Sequence, residues 1–389
     1  MTAVSQQLQT RFLDSLAGVR NGSLLVNTPD GATHRFGDGG PEAELHIRDW
    51  RMLSRLARRG NVGLGEGWIA GDWHSDTLEN LLVVALDNLD RLGSWATPGP
   101  LATLRMRLHD GLSLRRNHRA GASRNIKAHY DVGNEFFQQW LDPGMTYSSA
   151  LFDEGVTDLG AAQARKNRRI LSRLGEGGDI LEIGCGWGGF AEQAAETGRD
   201  VTAITISPSQ KGYADARLDG RADVRLQDYR DVQGKYSNIV SIEMMEAVGE
   251  RYWPDYFEAI KARLADGGRA VLQVITVPDA EFSVYRQQTD FIRRHVFPGG
   301  MLPCMAGIGL EASRAGLTVR ATHAFGQHYA RTCRMWSDRM SAAESRIRRL
   351  GYDEAFLRGW KFYLDGCAAT FATKRCDVLQ IELEHTAGT

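Results

Sequence analysis

Residues 179–196, DILEIGCGWGGFAEQAAE, carry the pattern that decides the fold. The apolar run Ile180–Ile183 has the length of a buried strand. Gly184, Gly186, Gly188 and Gly189 follow within six residues, and an alanine-rich amphipathic segment comes next. This is the grammar of strand, glycine loop and helix. Gly184, Gly186 and Gly189 fit G-x-G-x-x-G, the spacing of a dinucleotide loop.

A dinucleotide loop also needs an acid about 20 residues further on, to hold the ribose hydroxyls. The next apolar run, DVTAITIS (200–207), ends on Thr205, Ile206 and Ser207. The nearby acid, Asp200, precedes that run and falls at the wrong end of the sheet. Glu182 instead completes E-x-G-x-G, the motif of S-adenosylmethionine (SAM) methyltransferases. That cofactor has no pyrophosphate, and the glycines let the backbone approach its amino-acid and ribose portions. The bland alternative is a structural turn, but four glycines are a costly way to turn a chain.

Outward from the loop, strand-like runs alternate with amphipathic helices. DILEIG, DVTAITIS, YSNIVSIEMM (236–245) and RAVLQVIT (269–276) are strands; GFAEQAAETG, PSQKGYADARL and YWPDYFEAIKARL are helices. The alternation predicts an α/β fold, a parallel sheet with helices on both faces and its ligand at the carboxyl ends of the strands. Before residue 100 the pattern is α+β. Two strands flank a turn at Pro29-Asp30-Gly31, AELHIRD is a third, WRMLSRLARRG is a helix ending at Gly60, and residues 76–92 form a longer helix. The expected division is an α+β domain (1–105), for which the family resemblance of the longer motifs implies lipid or membrane association, a basic linker (106–124) and a Rossmann-like class I SAM methyltransferase domain (125–389).

The 389 residues carry a net charge of −1, so overall charge points to no anionic partner and to no nucleic acid. The stretch Arg105–Lys127 is nevertheless basic, with Arg105, Arg107, Arg115, Arg116, Arg119, Arg124 and Lys127 against Asp110. It suits an anionic lipid surface or a solvated linker. Five scattered cysteines without a C-x-x-C pair predict neither a disulfide framework nor a metal site, and a reducing compartment. No run approaches the ~18 apolar residues of a membrane span. The expected location is therefore cytoplasmic, peripheral to the inner face of the membrane.

Four longer motifs occur in order: SRNIKAHYDVGNEFFQQWLDPGMTYSSALF (123–152), LEIGCGWGG (181–189), SIEMMEAVG (241–249) and FIRRHVFPGGMLP (291–303). With them the chain strongly resembles the cyclopropane-fatty-acyl-phospholipid synthase family, whose members use SAM to modify cis double bonds of phospholipid acyl chains. The resemblance implies a substrate, an unsaturated phospholipid, and a peripheral membrane surface as partners, and is compatible with a homodimer. It gives the methionine end of SAM to Tyr147 and Ser148, with His129 and Tyr130 covering the cofactor. Gly184, Gly186 and Gly188 become the main-chain bed, Thr205 and Gln210 the ribose ligands, and Asp228 and Tyr229 the adenine lining. This accounts for the missing acid, since neutral side chains grip the ribose.

The chemistry implied is methyl transfer to an alkene, then loss of a proton from the resulting cation. Loss from the new methyl closes a cyclopropane, and a hydride shift before proton loss gives a branched chain instead. Family members recruit bicarbonate as the base, and the matching positions are Ser149, Glu246, Gln273, Ile275 through its backbone, and Tyr329. Ser149 and Gln273 stand where many members have cysteine and histidine, so a methyl- or methylene-branched product is the alternative to cyclopropane. A non-catalytic protein that binds SAM and lipid is the alternative from another class. Glu243 reads as either support or structure, His328 and Cys185 as structural, and Trp187 as packing or cofactor cover.

Overall fold

The computed structural model describes residues 3–92, Trp95 and 132–387. The basic stretch, the linker, His129 and Tyr130 lie outside the described residues. The chain forms two compact bodies, and a single cut does not separate them. One combines the N-terminal residues with Gln287–Val296 and Met340–Lys374. The other contains the residues from Arg115 to Arg286, Phe297–Arg339 and Arg375–Thr389. Among the described residues no helix is long and apolar enough to cross a membrane.

The first body has a four-stranded sheet in the order β2-β1-β3-β4, with β1 Ser23–Asn27, β2 Thr33–Phe36, β3 Glu42–Ile47 and β4 Trp73–His74. β1 and β2 form the expected hairpin, closed by Thr28 N–H to the Ala32 carbonyl at 2.9 Å. The helix expected to end at Gly60 does break there, at φ +54, and then resumes to Ile69. Leu24, Val26, Leu45, Met52, Leu53, Trp68 and Trp73 fill the core. Helix Glu354–Ala372, distant in sequence, packs on helices Arg51–Ile69 and Leu78–Asp87. Trp68 Nε1 donates to the Arg358 carbonyl at 2.8 Å, and the Arg358 guanidinium lies 4.1 Å above the Trp68 ring.

The second body is built on a seven-stranded sheet in the order β10-β11-β9-β8-β5-β6-β7. Its strands are β5 Asp179–Ile183, β6 Asp200–Thr205, β7 Asp223–Leu226, β8 Tyr236–Ile242, β9 Leu264–Thr276, β10 Leu317–Ala324 and β11 Asp377–His385. β5 through β9 run parallel, whereas β11 is antiparallel to both β9 and β10. The sheet is thus mixed where strand–helix alternation predicted parallel. The last strand enters between β9 and β10 after a helical excursion, and its Val378, Ile381 and Leu383 join the core. Strand order reverses between β5 and β8, which opens the crevice of a doubly wound sheet beyond their carboxyl ends. The glycine loop follows β5 and SIEMMEAVG closes β8, so both expected motifs border that crevice.

Candidate active site

The loop after β5 holds Gly184, Gly186 and Gly188 at φ +84, +53 and +85, the left-handed region that favours glycine. Gly184 N–H and Cys185 N–H both donate to the Ile204 carbonyl at 3.0 Å, tying the loop to β6. A Cβ on Gly184 would come within 2.8 Å of Met244 Cγ, so packing requires glycine there. A Cβ on Gly186 would meet no atom within 4 Å and would project into open space. At the end of β6, Thr205 Oγ1 donates to Gln210 Oε1 at 2.9 Å, and Ser207 caps helix Pro208–Leu218 through Gln210 N–H. After β7, Asp228 takes a two-pronged ion pair from Arg230 at 2.8 and 2.5 Å. The Tyr229 ring meets Tyr256 edge-on, and burial pushes its hydroxyl up to about 12.

A wall of aromatic rings runs between this loop and the end of β8. Trp187 packs on Phe137, Phe137 and Trp140 on Tyr147, Tyr147 on Trp336, and Trp336 on Tyr329, with centroids 5.0–6.0 Å apart. Trp187 is buried and donates to Asn134 Oδ1 at 2.8 Å, which makes it a fixed part of that wall. His328 accepts Phe152 N–H on Nδ1 at 3.1 Å, a structural contact.

Strand β8 ends at Ile242, earlier than YSNIVSIEMM suggested, because Glu243 takes φ +51 and turns the chain. The turn brings two part-buried glutamates, Glu243 and Glu246, together at the end of the strand. Glu243 Oε1 accepts Ser149 N–H and Gln273 Nε2–H, both at 2.8 Å, and Oε2 accepts the Tyr329 hydroxyl at 2.5 Å. Among the described residues Glu246 Oε1 accepts only Ile275 N–H, at 2.5 Å, and its Oε2 is buried without a hydrogen-bond partner. Burial raises both carboxyls, Glu246 to about 8, with the neighbouring charge of Glu243 adding to the rise. The three donors around Glu243 oppose its rise. With three donors opposing the effect of burial at Glu243, and Glu243's charge adding to the rise at Glu246, Glu243 is the first of the pair to ionise.

A relay fixes the Gln273 amide. Arg169 donates to Gln380 Oε1, Gln380 Nε2 donates to Gln273 Oε1 at 3.0 Å, and the Gln273 amino group is thereby turned toward Glu243. Gln273 and Gln380 are register partners on β9 and β11. Beneath the carboxyls lies Lys166, fully buried, with Nζ 3.1 Å from Ser148 Oγ. Burial lowers its amine to about 8, while Glu243, Asp142 and Glu182 pull it up. Burial likewise raises Glu182 to about 8, and Lys166 draws it back.

Ser149, Gln273, Ile275 and Tyr329 therefore meet as the resemblance implied, but they meet on protein carboxylates. Ser149 Oγ is also engaged, with the Ala150 carbonyl at 3.1 Å. The residues present do not fit a further bicarbonate, which would have to displace Glu243 from its three donors and enter beside two carboxyls. Tyr147 and Ser148 stand on the segment joining the aromatic wall to Lys166. The sequence leaves Glu243 between support and structure, and no motif points to Lys166. A signal for Lys166 existed: it falls in step with Leu159, Ala162 and Ile170 on the buried face of helix Leu159–Leu171.

Residues 117–381 match the family model described as mycolic acid cyclopropane synthetase. The chain is 36% identical over 375 residues to a tuberculostearic acid methyltransferase of Mycobacterium tuberculosis, covering 92% of this chain and 86% of that protein. It is 31% identical over 349 residues to the cyclopropane-fatty-acyl-phospholipid synthase of Escherichia coli, covering 88% of each. Among solved structures, the mycolic acid cyclopropane synthase CmaA1 in complex with SAH and CTAB aligns with a TM-score of 0.63 at 30% identity, over 67% of this chain and 97% of that one.

Proposed function

Since the chain belongs to the mycolic acid cyclopropane synthetase family and is a SAM-dependent C-methyltransferase, we propose that it transfers the methyl to a cis double bond in a phospholipid acyl chain and then removes a proton to close a cyclopropane. When bound, SAM supplies an electrophilic methyl group. The open space before Gly186 fits it, as do the neutral Thr205–Gln210 pair and the absence of an acid at the end of β6.

The observation that carries this reading is the pair of part-buried carboxyls at the end of β8, one of them held by Tyr329 of the aromatic wall. An alkene is a weak nucleophile, so water must be excluded and the chain held in line. Attack leaves a positive charge on the acyl chain, which the part-exposed ring of Tyr147 and a carboxylate at the end of β8 can stabilise. A small polar substrate would need matching hydrogen bonds that the ring wall does not offer. The tuberculostearic acid methyltransferase favours a second reading, the same substrate yielding a methyl- or methylene-branched chain.

The reaction takes place at the inner face of the membrane, where the basic stretch Arg105–Lys127 meets anionic headgroups. Neutralising Arg115, Arg116 and Arg119 is expected to weaken binding to anionic vesicles, most visibly at low salt. To test the function, the protein is expressed in a host that makes only straight unsaturated chains, and the lipids are read by mass and proton spectra. A gain of one CH₂ with cyclopropane protons is expected. Vinylidene protons would replace cyclopropane by the methylene-branched product, and unchanged lipids would reject the activity.

A further inference from the structure

We infer that Glu243 is the proton acceptor of this enzyme, a carboxylate built into the chain at the place where a recruited anion would otherwise be held. The inference rests on the methyl-transfer reading above. It is carried by where the donors point. Three groups from three separate segments, Ser149 N–H, the Gln273 amino group and the Tyr329 hydroxyl, converge on one carboxylate within 2.8 Å. A fourth, Ile275 N–H, is taken by Glu246. No donor in this set is left for an exchangeable anion.

The backbone supports the same assignment. Glu243 lies at φ +51, a conformation costly for a residue with a side chain, at the carboxyl end of a central strand. Glu243 N–H is held by the Gln273 carbonyl at 2.7 Å, which locks the turn. The Arg169–Gln380–Gln273 relay spends a buried polar network on orienting one amide toward it. Glu246 has none of these supports, with one donor and an orphaned oxygen.

The step balances as follows. After methyl transfer the adjacent acyl carbon is electron-deficient. A C–H bond of the new methyl breaks, and its electron pair forms the C–C bond that closes the ring. The proton goes to Glu243 Oε2, either directly or through Tyr329, whose oxygen takes it while passing its own hydrogen to the carboxylate. In the branched-chain alternative the same proton leaves after a hydride shift, and the electron pair forms a C=C bond. Glu243 returns the proton to solvent on product release, and no external base is consumed.

The test uses the full-length protein with SAM and vesicles of unsaturated phosphatidylglycerol, in buffer stripped of carbon dioxide or supplemented with bicarbonate. The parent protein is expected to turn over equally in both buffers. Glu243→Gln is expected to lose about a thousandfold in turnover, within the range for removal of a general base, with calorimetric SAM affinity held within about threefold. Glu246→Gln, which replaces a protonated acid by a neutral amide, is expected to lose only about tenfold. Glu243→Gly relieves the positive φ and leaves the three donors facing a space the size of a small anion, so added formate or bicarbonate is expected to restore turnover. Parent turnover that falls when bicarbonate is removed, or a Glu243→Gln enzyme as fast as the parent, overturns the inference. Failure of formate and bicarbonate to rescue a folded, SAM-binding Glu243→Gly also counts against it. Absence of any methylated lipid from the parent rejects the underlying methyl-transfer reading, and the inference with it.

Discussion

The two strand ends that border the crevice solve opposite problems. At the ends of β5 and β6 the chain offers glycine backbone and a neutral hydroxyl–amide pair, all drawn from residues 182–210. At the ends of β8 and β9 it offers two carboxyls above a buried lysine, assembled from β8, β9, the Ser149 segment, helix Leu159–Leu171 and helix Gly326–Ala342. Holding a cofactor that carries its own charge calls for shape and neutral hydrogen bonds. Moving a proton calls for buried charge, which is costly and persists only inside a network that over-determines it. In the proposed mechanism methyl delivery and proton removal are separated across one crevice, and each edge should be damaged without the other.

After Glu243→Gln, Tyr329→Phe gives the largest expected separation within this pair of edges. It removes the 2.5 Å donor to Glu243 and leaves two. Turnover is expected to fall about a hundredfold, with SAM affinity by calorimetry nearly unchanged. A parallel loss of both would break the division.

Lys166→Met is expected to act through pH. The positive charge on Lys166 lowers the pKa of Glu243, and in the proposed mechanism the ionised carboxylate is the working form. Turnover therefore rises with pH through that ionisation, and removing Lys166 moves the acidic limb of the profile upward by about one unit. A limb that stays in place would mean that Glu243 is not the group being read.

Gly186→Ala addresses the other edge. It adds a methyl where the loop faces open space and strains a positive φ, at a cost to stability of about 1 kcal/mol. SAM affinity is expected to fall about tenfold, with the pH profile of turnover unmoved. Thr205→Val has the smallest effect, a few-fold rise in KM for SAM with kcat retained. It removes one hydroxyl that links Gln210 to Ser207 N–H, worth about 1 kcal/mol.

The same contrast explains what could be read from the sequence. The cofactor edge is local: Glu182, three glycines, Thr205 and Gln210 fall at fixed spacings, and their conformations follow from the spacing. Four of the five parallel strands were visible as apolar runs for the same reason. Strands β10 and β11 escaped because β10 is largely exposed and lacks an apolar run, and β11 follows a long helical excursion. The excursion itself packs on the first body, a contact between residues nearly 300 positions apart. At the proton-handling edge the residues were nameable from motifs, but their partners were not. Whether Gln273 and Tyr329 hold an anion or a carboxylate depends on the turn at Glu243, where a left-handed non-glycine residue has no signature in the sequence.

Removal of a proton from the transferred methyl by the enzyme is most directly tested with SAM bearing a trideuterated methyl group. The purified protein is incubated with unsaturated phospholipid, and the isotopic composition of the product chain is read by mass spectrometry. Retention of two of the three deuterons is the expected result, because one leaves to the carboxylate at the end of β8. Retention of all three, or transfer with no loss from the methyl, would contradict it.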